Sequence, residues 1–455
     1  MAEQTQAVQA QPPQKSPYDT YQTSLTSRYC SNEMTSLFSQ RSRHSTWRKL
    51  WLGLAESESE LGIDIIKPEA LDQMRAHLTV TDADFEVARV EEKIRRHDVM
   101  AHVHAFGAVA PAAAGVIHYG ATSCYVTDNA ELILMRDALD ILINKMAKVI
   151  ANLQAFSLKW KDEPTLAYTH LQSAQPITVG RRSAQWLQDL MFDLEALESV
   201  RNGLKFRGAK GTTGTQASFL EMLEAPLLQS FQGDHAKCDA LDEKLCKRFG
   251  FSACYDISSQ TYSRKVDLIV ANAVAGLAST AHKAATDIRL LASWKEIEEP
   301  FEKSRMDIPE MFLLAEAILI GLDNVTDGLV VYPARIRSRF LEELPFMITE
   351  TIIMKLVAKG ASRQEAHEEI RVLSHQASSV VKNEGKPNDL IERIRNTEYF
   401  KPIWGDLDSM MQPKLYVGRS VQIVEKYCGA GGPVEKALAP YQQYIAGSAT
   451  AQLNV

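Results

Sequence analysis

Apolar residues recur at alternating spacings of three and four through Leu132, Met135, Leu139, Leu142, Met146, Val149, Leu153 and Phe156. That spacing fills the a and d positions of successive heptads and predicts one long helix with a buried seam. A second seam runs Leu187, Leu190, Leu194 and Leu197, and resumes at Leu204 after Arg201. A third runs Val266, Val270, Ala273, Leu277, Ala281, Ala284, Ile288 and Leu291. The first and third predict helices roughly 40 Å long at the helical rise per residue. Rods of this length, one with alanines along its seam, predict a helical bundle. They carry more apolar stripe than one chain easily covers, which predicts assembly of several copies through the bundle.

Outside these rods the period shortens. Residues 21–120 read as short helices. Among them 46–62 is amphipathic at its start and acidic at its end, and Thr81 to Phe106 reads as a further helical stretch. Beyond about residue 337, helices are expected at 341–358, 363–383 and 388–396, and Ser362-Arg-Gln-Glu365 is a capping-box pattern. Gly429, Gly431, Gly432 and Pro433 break a late helix, and strand signals are few throughout. The expectation is an all-α chain. A disordered Gln/Ala/Pro-rich tail spans 1–20, a helical N-terminal domain 21–122, the long-helix bundle 123–337 and a helical C-terminal domain 338–455.

Composition narrows the partners. The 455 residues are 45% hydrophobic and 24% charged with a net charge of −7, which argues against a general nucleic-acid-binding surface. No apolar run reaches membrane-spanning length, and the first twenty residues lack the apolar core of a secretory signal. None of the six cysteines (Cys30, Cys124, Cys238, Cys246, Cys254 and Cys428) forms a C-x2-C pair. Neither a zinc site nor a disulfide framework is therefore expected, and the default is reduced thiols in a cytoplasmic protein.

Candidate chemistry sits between the rods. Thr165 to Arg182 holds His170 among Thr169, Gln172, Ser173 and Gln175, with Pro176 and Gly180 limiting regular structure beyond it. A polar loop with one imidazole suits acid–base work, although an interhelical turn whose histidine only bonds backbone has the same composition. Arg95-Arg96-His97-Asp98, followed by Met100, His102 and His104, reads either as a solvated helix face with surface histidines or as a grip for an anion. Gly120-Ala-Thr-Ser-Cys124 leads into a helix through Thr127 and Asp128, where free backbone amides suit either an anion or simple capping. Arg207-Gly-Ala-Lys-Gly-Thr-Thr-Gly-Thr-Gln216 lacks P-loop order. It reads as a flexible connector or as a loop whose backbone approaches a ligand. Ser258-Ser-Gln-Thr-Tyr262 is expected to cap the third rod, with Gln260 capping or facing a ligand.

The chain carries SRYCSNEM (27–34), RRHDVMAHVHAFG (95–107), HYGATSCYVTDNAE (118–131), TLAYTHLQSAQPITVG (165–180), RGAKGTTGTQASF, SSQTYSRKVD, EEPFEK, GLVVYP and ELPFMITE. Together these stretches resemble the adenylosuccinate lyase branch of the fumarase/aspartase/argininosuccinate lyase superfamily. Arg28-Tyr29 and Arg96-His97-Asp98 favour this branch over its fumarate and argininosuccinate relatives. The resemblance implies a three-domain lyase fold whose bundle forms a homotetramer with sites shared between subunits. It implies β-elimination of fumarate from adenylosuccinate, giving AMP, and from the succinyl-carboxamide ribotide of purine synthesis, without metal or organic cofactor. By matching position it implies His170 as general acid and His97 beside the substrate. Arg28, Tyr29, Arg96 and Asp98 would hold the nucleotide end, and Thr122, Ser123 and Gln260 the succinyl and ring portions.

One departure stands out. The family's third motif, S-S-x-M-P-x-K-x-N, supplies the serine base and should follow EEPFEK. Here the chain reads Glu299-Pro-Phe-Glu-Lys-Ser-Arg-Met-Asp-Ile-Pro-Glu-Met-Phe-Leu-Leu-Ala-Glu316, and several dozen family residues are missing after Lys303. Ser304 lacks the motif's context, and 225–232 (APLLQSFQ) adds residues. The alternative expectation is a catalytically impaired subunit that acts only in mixed oligomers or not at all.

Overall fold

The computed structural model describes residues 25–223, 234–298 and 311–449. Ser304, the segment following Lys303, the 225–232 stretch and the N-terminal tail fall outside these residues. Its principal helices are α1 (Gln40–Glu60), α2 (Asp82–Arg95), α3 (Asp98–Val109), α4 (Ser123–Lys159), α5 (Val179–Gly203), α6 (His235–Phe249), α7 (Lys265–Ser293), α8 (Met311–Gly328), α9 (Pro333–Met347), α10 (Thr349–Ala358), α11 (Arg363–Glu384), α12 (Leu390–Arg395) and α13 (Ser420–Cys428). Among the described residues the only strands are two-residue pieces in three antiparallel pairs.

The heptad reading of α4 holds along its length, since all eight seam residues from Leu132 to Phe156 are buried. The helix exceeds the expected length: its 37 residues span roughly 55 Å. Its neighbours are α5, α8 and α1. On α5, Leu187, Leu190, Leu194 and Leu197 are buried. On α7 the seam residues Val270, Leu277, Ala284, Ile288 and Leu291 are buried and Val266, Ala273 and Ala281 half-buried, while Leu268, Ile269 and Leu290, off the seam, are exposed. The ends of α4 and α5 meet at Gly180. A Cβ there would stand 2.2 Å from the Ser157 carbonyl oxygen, so only glycine allows this approach. One apolar core joins the N-terminal helices to the bundle and takes in Val424 and Cys428 of α13. A second is built from α9–α12 and the segment after them, and it includes Leu166.

Three expectations need correction. The Thr81–Phe106 stretch is two helices, because Arg96 takes a left-handed backbone (φ 52°) and His97 restarts the chain as the N-cap of α3. Ser258–Tyr262 does not cap α7, whose N-cap is Arg264. His102 is not a surface residue: it is buried and stacked 3.9 Å from the ring of His44, and burial pushes its imidazole down to about 4. Arg95 and His104, in contrast, do lie on a surface ion network around Glu91.

Glu58, on the core side of α1, is 1% exposed, and neither carboxylate oxygen has a hydrogen-bond partner. Burial pushes its carboxyl up from 4.5 to about 9. The folded chain therefore keeps a proton that the unfolded chain releases. Stability is fully present below the unfolded value and is lost as pH rises towards the folded one. Glu58→Gln is expected to stabilise the protein by roughly 1–4 kcal/mol at about pH 8, less the cost of burying an amide. The advantage should vanish near about pH 4.5. Thermal denaturation followed by circular dichroism across this range checks it; parallel curves for parent and variant would contradict the assignment.

Candidate active site

Past the far end of α4 the chain forms a stacked pair of short ladders. Pro164 and Thr165 pair with Thr178 and Ile177, and Tyr168 and Thr169 pair with Ser173 and Gln172. Only His170 and Leu171 remain for the inner turn, and both take positive φ, 53° and 59°. Two left-handed central residues make a type I′ turn, normally the place of Asn-Gly. A histidine and a leucine there are strained, and such strain concentrates at functional positions. The turn is exposed, with Leu171 68% accessible.

The ladder is anchored from below by buried charge. Glu296, 1% exposed, meets Arg182 at 3.8 Å and Arg339 at 3.4 Å and accepts a hydrogen bond from the Tyr168 hydroxyl at 3.4 Å. Burial pushes the Glu296 carboxyl up, against the pull of both arginines. Arg182 also donates to the Leu166 carbonyl. These contacts tie the hairpin to α5, to the end of α7 and to α9, and so fix where His170 is presented.

A second group gathers at the start of α4. Thr122 is the N-cap, but its hydroxyl does not cap; it accepts a hydrogen bond from the Gln260 amide at 2.9 Å. The first turn, with Ser123 at its head, thus keeps the positive end of a long helix dipole without a side-chain cap. Asp128 holds the Gln260 segment in place, accepting from the Tyr262 amide at 2.9 Å and from Arg264 at 3.1 Å. One residue on, the Asn129 side-chain oxygen accepts from the Arg207 and Gly208 amides at 3.0 and 3.2 Å.

The 207–216 loop is not a slack connector. Arg207 is fully buried and donates to the carbonyls of Gly208, Gly211 and Ser259 at 3.2, 2.9 and 3.4 Å. Asp242 of α6 accepts from the Ala209 amide at 3.0 Å and from Lys210 and Gln216. At Gly208 (φ 79°) a Cβ would stand 2.3 Å from Asp242 Oδ1, so the backbone is seated where a side chain cannot fit.

The Arg96-His97-Asp98 segment lies on this same end of the bundle. His97 Nδ1 accepts from the Met100 amide at 3.4 Å and lies 3.5 Å from the Asp98 carboxylate. Nearby, His118 has a positive φ of 69° and accepts from the Trp51 indole at 2.9 Å. Burial, then the charge of His97, holds its imidazole down near 4. His118 was no candidate by spacing; the sequence signal was its place two residues before Gly120-Ala-Thr-Ser.

Arg28 and Tyr29 lie elsewhere, on a five-residue π-helical turn, Leu25–Tyr29. The segment is pinned to α8, where Ser31 donates through both amide and hydroxyl to Glu316. Arg28 lines a cavity of about 320 Å³ with Tyr29, Lys145, Lys148, Asp323 and Tyr444. Lys145 is 22 residues along α4 from Ser123, roughly 33 Å at the helical rise. Within one chain the candidates therefore form three sets: Arg96, His97, Asp98, Thr122, Ser123 and Gln260 at one end, Arg28 and Tyr29 beside the middle, and His170 beyond the other end. Among the described residues no group of three or more His, Cys, Asp or Glu side chains could hold a metal ion, and no helix is long and apolar enough to cross a membrane.

Comparison with known proteins gives this arrangement a family. The Lyase family model matches residues 31–305, and the model for the adenylosuccinate lyase C-terminus matches 345–427. The adenylosuccinate lyase of Saccharomyces cerevisiae is 48% identical over 480 aligned positions, covering 94% of this chain and 98% of the relative. That of Schistosoma mansoni is 40% identical over 483 positions, with the same coverage of both chains. In fold, the chain is similar to a fumarate lyase from Mesorhizobium sp. BNC1 (TM-score 0.73, 22% identity, 88% of this chain and 98% of that one). It is likewise similar to the 3-carboxy-cis,cis-muconate lactonizing enzyme of Pseudomonas putida (TM-score 0.71, 20% identity, 91% and 98%). Because 94% of 455 residues occupy 480 aligned positions, about fifty positions of the yeast alignment carry no residue of this chain. An all-α bundle with a hairpin anchored on buried charge at one end, full-length likeness to these relatives and both family models place the chain in the adenylosuccinate lyase family.

Proposed function

We propose that the chain catalyses β-elimination of fumarate from adenylosuccinate, and from the related succinyl-carboxamide ribotide, in a homotetramer whose sites draw on several subunits. The reaction needs a base for the proton beside a carboxylate, an acid for the departing nitrogen and donors for the anionic intermediate. His170 is the acid and His97 stands beside the substrate. Arg28, Tyr29, Arg96 and Asp98 hold the nucleotide end; Thr122, Ser123 and Gln260 hold the succinyl and ring portions. The observation that carries this reading is the spread of these residues along α4. No single chain closes a site whose anion-binding helix start and acid lie at opposite ends of a rod about 55 Å long, whereas copies packed through the exposed apolar residues of α7 can supply the three sets together. A cytoplasmic location accords with the substrate class.

A specific observation also favours a second reading. The chain lacks the S-S-x-M-P-x-K-x-N sequence after Lys303, and about fifty aligned positions of the yeast relative have no counterpart here. On that reading the chain lends its acid only to mixed oligomers. Ultraviolet absorbance following adenylosuccinate conversion by the purified homo-oligomer separates the two. Turnover comparable to an intact relative supports the first and excludes the second. No turnover alone, but turnover on co-expression with a full-length partner whose acid histidine is changed to alanine, supports the second. No turnover in either case overturns both readings.

A further inference from the structure

Cys246, in the last turn of α6, and Cys254, in the segment leaving it, place their sulfurs 3.3 Å apart. Cys246 is buried, while Cys254 is half-buried and follows exposed Ser252 and Ala253. The pair lies beneath the glycine loop: a Cβ on Gly208 would stand 2.6 Å from Cys254 Sγ as well as against Asp242. Asp242 and Cys246 are one helical turn apart on one face of α6, so the residue that clamps the loop and the residue that touches Cys254 act from the same surface. The segment around Cys254 is also bonded to the root of the loop. The Phe206 amide donates to the Ala253 carbonyl at 2.9 Å, and the Tyr255 amide donates to the Phe206 carbonyl at 2.8 Å. A few residues later the same segment carries Gln260, which is bonded to Thr122.

We propose that Cys246 and Cys254 are a modification site: a dithiol that a hydroperoxide converts reversibly to a disulfide, tightening the glycine loop and the Gln260 arm together. Cys254 is the sulfur a peroxide reaches, because it is half-buried behind exposed Ser252 and Ala253 whereas Cys246 is buried, and its contact with Cys246 lets the pair share one proton and hold the other sulfur as thiolate. The Cys254 thiolate attacks the terminal peroxide oxygen; the O–O bond breaks, the alcohol or water leaves with the proton the thiol gave up, and Cys254 becomes a sulfenic acid. Cys246 then attacks that sulfur, the S–O bond breaks, water departs with the Cys246 proton, and the S–S bond forms. Two electrons pass from the thiols to the peroxide, and a small dithiol returns them. Closure brings the sulfurs from 3.3 Å to about 2.05 Å, drawing the Cys254 segment onto α6. The thiol chemistry stands on its own; its link to the Gln260 arm rests on the lyase reading above.

The test treats the native full chain with hydrogen peroxide, blocks remaining thiols by alkylation and maps peptides without reduction. The expected result is a Cys246–Cys254 cross-linked peptide, two thiols lost per chain, full recovery with dithiothreitol, and slower hydrogen exchange at 207–216 and 258–262 in the oxidised form. Cys254→Ser and, separately, Cys246→Ala should each abolish the cross-link, with melting curves confirming that each variant folds. Complete alkylation of both cysteines after treatment, or over-oxidation of either one without a cross-link, overturns the site. A cross-link with unchanged exchange in the two segments overturns the coupling, whatever the activity assays report.

Discussion

Replacing His170 with alanine should lower fumarate release from adenylosuccinate by about 10²–10⁴-fold, the range for losing a positioned proton donor, in any oligomer where this chain supplies the acid. The loss should fall on kcat with little change in KM, because the proton is delivered only as the bond to nitrogen breaks. The fold should survive, since the turn is exposed and its anchorage runs through Tyr168, Glu296 and the two arginines. His170→Asn sharpens the test. Asparagine tolerates the left-handed backbone that the turn requires and keeps the hairpin, but it cannot deliver the proton. Equal losses in both variants, with unchanged melting, match the acid role. An asparagine variant that retains the parent's rate would assign His170 to turn geometry alone.

Arg207→Met should destabilise the protein by about 3–5 kcal/mol, the range for removing one partner from a buried charged network. The guanidinium bonds three carbonyls at once, and burial alone would lower its affinity for the proton, an effect that Asp128 opposes most strongly. Methionine fills the volume but leaves those acceptors with fewer donors and Asp128 with less compensation. Arg207→Lys should recover only part of the loss, because one ammonium cannot match the planar fork across three carbonyls. Urea denaturation of parent, Met and Lys variants measures this; a methionine variant within about 1 kcal/mol of the parent would mean that the loop holds itself without the arginine.

What the sequence disclosed followed from how local each signal is. The α4 seam repeats every three and four residues, so burial on one face was readable from spacing, and all eight positions are buried. The break at Arg96 and His97 was not readable, because Arg-Arg-His-Asp holds neither glycine nor proline and the left-handed turn there has nothing to announce it. Ser258–Tyr262 has the composition of a local cap, but its polar groups are spent on residues more than a hundred positions away: Gln260 on Thr122, and the Tyr262 amide on Asp128. For the same reason the rigidity of the 207–216 loop was hidden, since its clamps, Asn129 and Asp242, lie on separate helices. The candidate site residues were named through motif resemblance alone. Their scatter into three sets was not, because it depends on the length of a helix that the pattern alone underestimated.

That helix has a consequence for how the gene can change. As a continuous rod of 37 residues, α4 sets both the separation and the angular phase of whatever its two ends carry. Adding or deleting a single residue within it would slide one end by about 1.5 Å and rotate it through about 100°, swinging the His170 hairpin out of alignment with the Gly120 turn in every copy at once. Length variation in this rod is therefore tolerable only in near-whole-turn steps.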